Sequence, residues 1–375
     1  MKATICVQYG PPSTAFEYKE NYAKPEITKP NQILIKNKFC SVNPADCKQR
    51  SGNLKLVLKH QFPFILCQDF AGVVVEVGKD VKKFQVGDNV FGCTNGAENG
   101  KQPRNSCAAE YLITFENECE IKPDTISFIE AAAIPTGFCT AFKGLFDKQY
   151  GNLKRNDVES FKKEEDDNND EEKNKKKILI LGASGSVGSS AVQLAIKLAN
   201  VDVIAFCSNK NFEYIQSLGA TAIDYNTDFV TTLKESNLKF DLILDCVGGD
   251  EYYYKLYPFL KPKVNNNNPN YITCVGPVLH GGSEKITVGT IFSTIGILGP
   301  RFLNDSIFGS SRYKMYLSFT TANDVLKEIA MAFQEKRLSP PRIDPTCPYP
   351  LNKLNEAHEK VEKGHSEGKV IVEIS

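Results

Sequence analysis

A glycine turn between an apolar run and an amphipathic segment is the feature of this sequence that points most directly to chemistry. Residues 178–181 form a continuous apolar run, which predicts a strand buried on both faces, and residues 186–199 carry apolar side chains at helical spacing. Gly185 would let a phosphate approach the backbone, and Gly188 would let the helix pack closely on the strand. Free N–H groups in the first turn of that helix would face the phosphates. We therefore expect a dinucleotide site at Ala183, Ser184, Gly185, Ser186, Val187 and Gly188.

The end of the next predicted strand, residues 201–207, indicates which dinucleotide is bound. A ribose 2′-hydroxyl pairs with a carboxylate at this place, whereas a 2′-phosphate is repelled by one. The sequence continues with Ser208, Asn209 and Lys210, which offer a hydroxyl, an amide and an ammonium group. We therefore expect NADPH. Tyr225 would border the adenosine end, although an aromatic residue at a strand end is more often packed in the core. The alternative is an ordinary solvated loop that begins a helix.

Strands and helices continue to alternate through the middle of the chain. Residues 240–249 and 271–276 are apolar runs that end in glycine, and residues 250–260 suggest a tyrosine-rich helix between them. This alternation predicts a doubly wound parallel sheet, in which ligands bind at the carboxyl ends of the strands. The residues expected to line the nicotinamide end are Val247, Gly248, Val275 and Gly276.

The two ends of the chain differ from this middle part in their predicted secondary structure. Short strands punctuated by proline and glycine predict a small β-barrel near the N-terminus. The last predicted strand, residues 369–374, has no sheet of its own and should complete a distant one. We therefore expect one discontinuous domain, residues 1–135 plus 305–375, with a nucleotide domain, residues 136–304, inserted into it. The charged, asparagine-rich residues 155–176 predict a disordered insert.

Several motifs resemble one known family. Residues 41–52, SVNPADCKQRSG, are similar to the V-N-P-x-D-x-x-x-R-x-G signature of the quinone oxidoreductase branch of the medium-chain dehydrogenases/reductases, and its other motifs follow in order along the chain. The segments LGASGSVG, IDY, LDCVGG and EKGHSEGKVIV resemble more particularly the reticulon-interacting mitochondrial oxidoreductases. The resemblance implies a GroES-like β-barrel domain into which a Rossmann domain is inserted. It also implies NADPH-dependent reduction of quinones or activated carbonyl compounds.

The same resemblance argues against a metal. In the zinc-dependent alcohol dehydrogenases of this superfamily, a Cys, a His and a Cys or Asp hold the catalytic ion. The matching positions here are Asn43, Gln68 and residues 131–133, none of which is a good zinc ligand. A structural zinc site would need closely spaced cysteines, and the sequence has no C-x-x-C. We therefore expect no metal.

Without a metal, hydride transfer needs an acceptor that is already electron-poor, such as a quinone or an α,β-unsaturated carbonyl compound. The protein must then place a hydrogen-bond donor where charge develops on the acceptor oxygen. Asn43 is the first candidate for this donor. Asp46 would fix the loop or the cofactor, unless it only pairs with Arg50, and Asp69 would orient Asn43 or a water. Lys369 would reach the cofactor phosphates, although a lysine that opens a strand often has no such role.

Bulk properties set the remaining expectations. The 375 residues suit two domains, and 45 basic residues balance 45 acidic ones, so nothing suggests nucleic-acid binding. Twelve cysteines without paired spacing suggest a reducing compartment, and the apolar stretches are too short for a transmembrane segment. A strand directly after Met1 favours the cytoplasm, with the mitochondrion as the alternative. Residues 286–299 could supply an edge strand for a homodimer or could pack internally.

Two other functions stay open on the sequence alone. One is a cofactor-binding scaffold or interaction protein with little turnover. The other, opposed by the missing ligands, is a zinc alcohol dehydrogenase.

Overall fold

The chain forms two compact units. The computed structural model describes residues 1–56, 58–94, 107–155, 175–263, 269–277, 287–308, 312–316, 323–364 and 366–374. The first unit contains Met1–Cys139 and Phe319–Ser375, and the second contains Thr140–Gly281 and Thr287–Ser318.

Strands and helices are numbered along the chain. The strands are β1 (Ala3–Cys6), β2 (Phe16–Lys19), β3 (Gln32–Val42), β4 (Phe64–Ile65), β5 (Asp69–Val77), β6 (Asn89–Cys93), β7 (Tyr111–Phe115), β8 (Cys119–Ile121), β9 (Lys177–Leu181), β10 (Asp202–Cys207), β11 (Thr221–Asp224), β12 (Leu242–Asp245), β13 (Asn270–Thr273), β14 (Tyr313–Met315), β15 (Tyr349–Pro350) and β16 (Val370–Glu373). The helices are α1 (Pro12–Ala15), α2 (Pro44–Ser51), α3 (Phe128–Ala132), α4 (Pro135–Phe146), α5 (Ser186–Ala199), α6 (Phe212–Ser217), α7 (Phe229–Glu235), α8 (Asp250–Leu256), α9 (Val288–Phe308), α10 (Asn323–Gln334) and α11 (Leu354–Glu362).

The first unit is built on a seven-stranded sheet in the order β15-β16-β3-β5-β6-β8, with β7 also paired to β3. A second sheet has the order β2-β1-β4. The last strand, β16, runs antiparallel to β3 with Val370 opposite Val42, which confirms that the end of the chain completes a distant sheet. Alternate residues of these strands enter one apolar core, in which Ile35, Phe70 and Val372 are fully buried.

The second unit is a six-stranded parallel sheet in the order β11-β10-β9-β12-β13-β14. Renumbered from its own first strand, this is the order 3-2-1-4-5-6 of a doubly wound nucleotide-binding sheet, as the alternating pattern predicted. Ile178, Leu179 and Ile180 in β9 are fully buried, because the central strand of such a sheet is covered on both faces. The direction of winding reverses between β9 and β12, so a ligand crevice is expected outside their carboxyl ends.

The segment expected as an edge strand is a helix. From Val288 onwards, the segment 286–299 belongs to α9. The prediction that it supplies an edge strand for a homodimer was therefore wrong. Thr287 caps the helix, because its hydroxyl accepts the N–H of Thr290 at 3.1 Å. The β-branched and apolar composition of the segment suggested a strand. In the helix, Leu298 and Arg301 lie one turn apart on the same face, and both are buried.

Two other boundaries differ from the expected ones. The strand β14 pairs in parallel with β13, so residues 313–315 lie in the sheet of the second unit, although the expected boundary at 305 placed them in the first. The tyrosine-rich helix expected over 250–260 ends earlier, at Leu256, and a 3₁₀ turn over Tyr257–Phe259 follows it.

Most of the charged insert at 155–176 lies outside the described residues. All twelve cysteines lie within them and are free thiols. Among the helices that can be described, none combines the length and the hydropathy needed to cross a bilayer.

Candidate functional site

The glycine turn of the second unit is shaped by close backbone contacts. Gly182 has a φ of +69°, and the N–H of Gly185 returns to its carbonyl oxygen at 3.0 Å. A Cβ atom on Gly188 would lie 2.2 Å from that same carbonyl oxygen, so only glycine allows α5 to start against the turn. The residues of the predicted phosphate site therefore stand together at the carboxyl end of β9 and in the first turn of α5.

This turn fits a pyrophosphate group. Gly185 is the N-cap of α5, and a Cβ atom there would meet only the carbonyl oxygen of Gly182, at 3.3 Å, which leaves its outer side open. The amides of residues 186–188 open the helix and have no carbonyl one turn earlier to bond. The hydroxyl of Ser186 is buried and has no partner among the described residues. These donors and the helix dipole together suit an anionic ligand.

The expected adenosine end of the same edge is polar. Ser208 follows β10 and begins a 3₁₀ turn, and its hydroxyl oxygen accepts a hydrogen bond from the Asn211 amide at 3.0 Å. Asn209 and Lys210 are exposed beside it. Tyr225 follows the neighbouring strand β11 and is 43% exposed.

One carboxylate lies near this end. Asp224 ends β11 and stands in register with Cys207 at the end of β10. Its Oδ1 atom accepts the backbone N–H and the side-chain amide of Asn226, both at 2.9 Å. One carboxylate oxygen is thus directed to Asn226 and away from the role of a ribose acceptor.

The expected nicotinamide loops are held by two residues that the sequence analysis did not single out. The Oδ1 atom of Asp245 accepts the N–H groups of Val247 and Gly248, each at 2.8 Å. The hydroxyl of Thr273 does the same for Val275 and Gly276, at 3.1 and 3.0 Å. Each of them lies three residues before a glycine that follows the strand, and this spacing was the available signal, because Asp and Thr side chains often bond the backbone two residues later.

The first unit gathers three of the predicted site residues into one buried cluster. The Asn43 side-chain amide donates to Asp69 Oδ2 at 3.0 Å, and the Lys369 ammonium donates to the same oxygen at 3.1 Å. Lys369 also donates to the Asn43 Oδ1 atom. The three residues are 3%, 0% and 4% exposed in the order Asn43, Asp69, Lys369, so the cluster is almost closed to solvent.

Asp69 is the centre of this cluster. Its Oδ2 atom also accepts the Ser41 hydroxyl at 2.9 Å, and its Oδ1 atom accepts the Thr136 hydroxyl at 2.6 Å and the Thr136 N–H at 3.2 Å. With both oxygens satisfied by donors, Asp69 has no lone pair left for a proton transfer. The arrangement suits a residue that orients Asn43, which was one of its two expected roles.

Asp46 caps the helix that carries the family-like signature. Its Oδ2 atom accepts the Asn43 N–H at 2.8 Å, and α2 begins between the two. Burial raises the pKa of the Asp46 carboxyl to about 7. Arg50 does not pair with it: the guanidinium donates to the carbonyl oxygen of Gly10 and to Glu362, so the suggested local salt bridge is absent.

The positions that match zinc ligands carry other groups. Asn43 is held by Asp69 and Lys369, and the carbonyl oxygen of Gln68 accepts the N–H of Thr94 at 2.9 Å. Residues 131–133 are buried alanines at the end of α3. In the described part of the chain, His, Cys, Asp and Glu side chains do not gather in threes as a metal ion would require.

Comparisons with known proteins place this architecture. Residues 29–124 match the family model of the alcohol dehydrogenase GroES-like domain, and residues 218–372 match that of the zinc-binding dehydrogenases. A mouse (Mus musculus) protein named NAD(P)H oxidoreductase RTN4IP1, mitochondrial, is 31% identical over 387 residues, which cover 100% of this chain and 89% of the relative. A tomato (Solanum lycopersicum) protein named 2-methylene-furan-3-one reductase is 29% identical, and the aligned region covers 99% of this chain and 79% of the relative.

Solved structures agree with the sequence relatives. The quinone oxidoreductase from Coxiella burnetii superposes with a TM-score of 0.72 at 26% identity, over 100% of this chain and 99% of that one. The expected fold class, a Rossmann sheet inserted in a GroES-like domain, is therefore confirmed, as is the resemblance seen in the motifs. The chain belongs to the medium-chain dehydrogenase/reductase superfamily and, within it, to the quinone oxidoreductase branch.

Proposed function

We propose that the protein is an NADPH-dependent oxidoreductase that transfers hydride to quinones or α,β-unsaturated carbonyl compounds without a metal. The observation that carries this proposal is the glycine turn at Gly182–Gly188, with its helix N-terminus open towards an anion. Family membership supports the same reaction. The tomato relative is named for an enone, and the Coxiella structure is named for quinones.

The cofactor is proposed to lie along the carboxyl edge of the parallel sheet. The residues from Ala183 to Gly188 would hold its pyrophosphate, and Val247, Gly248, Val275 and Gly276 would border its nicotinamide. A bound dihydronicotinamide supplies the hydride. The side chains of Asp245 and Thr273 hold the loops after β12 and β13 through hydrogen bonds, so these loops can orient a ring without reorganising.

NADPH is favoured over NADH by the groups after β10. Ser208, Asn209 and Lys210 would surround a 2′-phosphate with donors and one positive charge, and Tyr225 would border the adenosine. The nearby carboxylate of Asp224 bonds Asn226 through one oxygen. The mouse relative is named for NAD(P)H, which covers both coenzymes.

Asn43 is the proposed donor to the oxygen of the acceptor. Its amide nitrogen donates one N–H to Asp69, which leaves the second N–H for a ligand. Only 3% of the residue is exposed, so the amide presents no more than an edge. Asp46 and Asp69 are proposed to act through Asn43, by holding its backbone and its side chain.

The test is NADPH oxidation, followed at 340 nm, against ortho- and para-quinones, enones and simple saturated aldehydes and ketones. We expect turnover with the first three classes and none with the last two, because only a conjugated acceptor is activated without a Lewis acid. Binding of NADPH without turnover of any acceptor would favour the scaffold alternative. Turnover of simple aldehydes, together with stoichiometric zinc in the purified protein, would favour the zinc alcohol dehydrogenase.

Location and assembly complete the proposal. We favour the mitochondrion over the cytoplasm, because the mouse relative is named as mitochondrial. Cell fractionation with matrix and cytosolic markers would decide between the two compartments. A homodimer is proposed as the assembly, although not through an edge strand at 286–299, and sedimentation equilibrium would test it.

A further inference from the structure

The end of the Lys369 side chain lies in a buried polar cluster of the first unit. The residue precedes β16, and the pairing of Val370 with Val42 brings it opposite Asn43 on the antiparallel strand. Its backbone is fixed on both sides, since its N–H donates to the Arg342 carbonyl oxygen at 2.8 Å and its carbonyl oxygen accepts the Asp344 N–H at 3.0 Å. The ammonium group is then directed into the buried cluster with Asn43 and Asp69.

We propose that Lys369 is a positioning residue that fixes the side-chain amide of Asn43 for the oxygen of the hydride acceptor. This inference rests on the proposed function. A buried amide can be turned by 180°, which exchanges its oxygen and its nitrogen. Here the turn would set the amide nitrogen against the ammonium of Lys369 and the amide oxygen against the carboxylate of Asp69. Both contacts would become repulsive, so the two charges select one orientation.

The same ammonium group strengthens the amide as a donor. A cation bonded to Asn43 Oδ1 draws electron density from the amide, and hydrogen bonds in a chain polarise one another in a medium of low dielectric constant. The N–H group that remains for the substrate therefore carries more positive charge. Lys369 also adds a fixed positive charge behind the place where the acceptor oxygen becomes negative.

The cluster is rigid enough for this role. Asp69 is anchored on its other oxygen by the hydroxyl and the N–H of Thr136, and by Ser41 on the shared one. The amide thus rests between a fixed carboxylate and a lysine whose backbone is part of the strand pairing. The sequence suggested a different role for Lys369, a contact with the cofactor phosphates, and the two roles make opposite predictions for binding and for turnover.

The first test is Lys369→Met, which keeps most of the side-chain volume and removes the charge. With 1,4-naphthoquinone as acceptor, we expect kcat to fall between about tenfold and a hundredfold, because the donor loses its fixed orientation. The Kd for NADPH should stay within twofold of the wild type. A rise of tenfold or more in that Kd with unchanged kcat would assign Lys369 to the phosphates and overturn the proposal, and so would unchanged values of both.

A matched control is available in the same unit. Lys122 is also buried, at 7% exposure, and its ammonium donates to the carbonyl oxygens of Pro123 and Ile126 at 2.8 and 2.6 Å. Lys122→Met removes a buried lysine charge away from Asn43, so kcat should stay within twofold. Lys369→Arg, which keeps a cation with a different shape, should recover part of the lost kcat.

Two double variants separate positioning from a loss of folding. Lys369→Met leaves Asp69 buried and unpaired, so the single variant could unfold. The variant Lys369→Met with Asp69→Asn removes both charges and should fold, with kcat as low as in the Lys369→Met single variant. When Lys369→Met is combined with Asn43→Ala, kcat should be no lower than in Asn43→Ala alone. Full multiplication of the two losses would show that Lys369 does not act through the amide.

A readout without turnover keeps this inference separate from the proposed function. Asn43 side-chain amide signals, assigned by their loss in Asn43→Ala, can be followed by NMR with labelled asparagine. We expect them to shift in Lys369→Met and to stay in place in Lys122→Met. If the wild type turns over none of the acceptors, the proposed function fails, while this shift still supports the positioning. An unshifted signal in Lys369→Met would overturn the positioning whatever the turnover.

Discussion

Asp245 and Thr273 occupy the same register position on the neighbouring strands β12 and β13, and each accepts two backbone N–H groups of the loop that follows it. The two loops are also joined to each other, since the Gly249 N–H donates to the Gly276 carbonyl oxygen at 3.1 Å. Tyr271 adds a third partner by donating its hydroxyl to Asp245 at 3.0 Å. Strand register, rather than loop sequence, thus sets the shape of the proposed nicotinamide end.

Thr273→Val removes one of these braces without changing the shape of the side chain much. Two loop N–H groups lose their acceptor, so we expect the free energy of unfolding to fall by about 1–3 kcal/mol. The KM for NADPH should rise because the loop at 274–277 is no longer held. Urea unfolding and steady-state kinetics measure the two effects. The exposed Thr221 on β11, changed to Val, should alter neither.

Two glycines of the turn should respond differently to alanine. Gly188→Ala places a Cβ atom 2.2 Å from a backbone oxygen, so the expected result is a loss of about 1–3 kcal/mol of stability or failure to fold. Gly185→Ala meets only one oxygen at 3.3 Å, so it should fold normally and weaken NADPH binding. Thermal unfolding and fluorescence titration with NADPH separate these outcomes. Tight NADPH binding to Gly185→Ala would remove the phosphates from this turn.

Asn43→Ala tests the proposed donor. Loss of one preorganised donor to a developing oxyanion costs about 3 kcal/mol, so kcat/KM for quinones and enones should fall by roughly a hundredfold. The Kd for NADPH should change little. Asn89 is exposed at the start of β6, and Asn89→Ala serves as the control with full activity. Unchanged kcat/KM in Asn43→Ala for every acceptor would exclude the amide as the electrostatic group.

Lys210→Ala tests the preference for NADPH. We expect the KM for NADPH to rise more than the KM for NADH, because only the former carries the 2′-phosphate that the ammonium would meet. Lys197 is exposed near the opposite end of α5, and its alanine variant should affect neither coenzyme. Equal increases for the two coenzymes would contradict a phosphate contact at Lys210.

Asp46 should make stability depend on pH. Its pKa is raised from near 4 in the unfolded chain to about 7 in the folded one, so the folded protein binds the proton more tightly. Stability from this group is complete below pH 4 and is lost as the pH rises through 7, at up to about 1.4 kcal/mol per pH unit. Asp46→Asn keeps an acceptor for the Asn43 N–H and should flatten this slope. Urea midpoints between pH 5 and 8 measure it, with the exposed Asp80→Asn as the control.

Features that depend on short stretches of sequence could be predicted. The apolar run before Gly182 and the helical spacing after it placed the parallel sheet and the glycine turn correctly, because both are local patterns. The distant pairing of the last strand also followed from local evidence, since an apolar strand without a neighbour must find one elsewhere. The helix α9 was missed because the β-branched residues in 286–299 favour a strand and the glycines disfavour a helix when tertiary packing is unknown.

The contacts within the candidate site were less predictable. Asn43 and Asp69 were singled out from a motif, but the partner that joins them, Lys369, is 300 residues from Asp69 along the chain. Its destination depends on the register of β16 against β3, which spacing alone does not reveal. Asp245 and Thr273, which brace the loops, have a local signal, since each lies three residues before a glycine.

The pairing of β16 with β3 also has a consequence for biosynthesis. A ribosome makes Asn43 and Asp69 early, then the whole of the second unit, and only near the end the strand that carries their cationic partner. Until that strand emerges, the first unit lacks a strand that pairs with β3 in its main sheet, and the Asp69 carboxylate lacks its counter-charge. The first unit can therefore complete its main sheet only after the whole nucleotide-binding sheet has been synthesised.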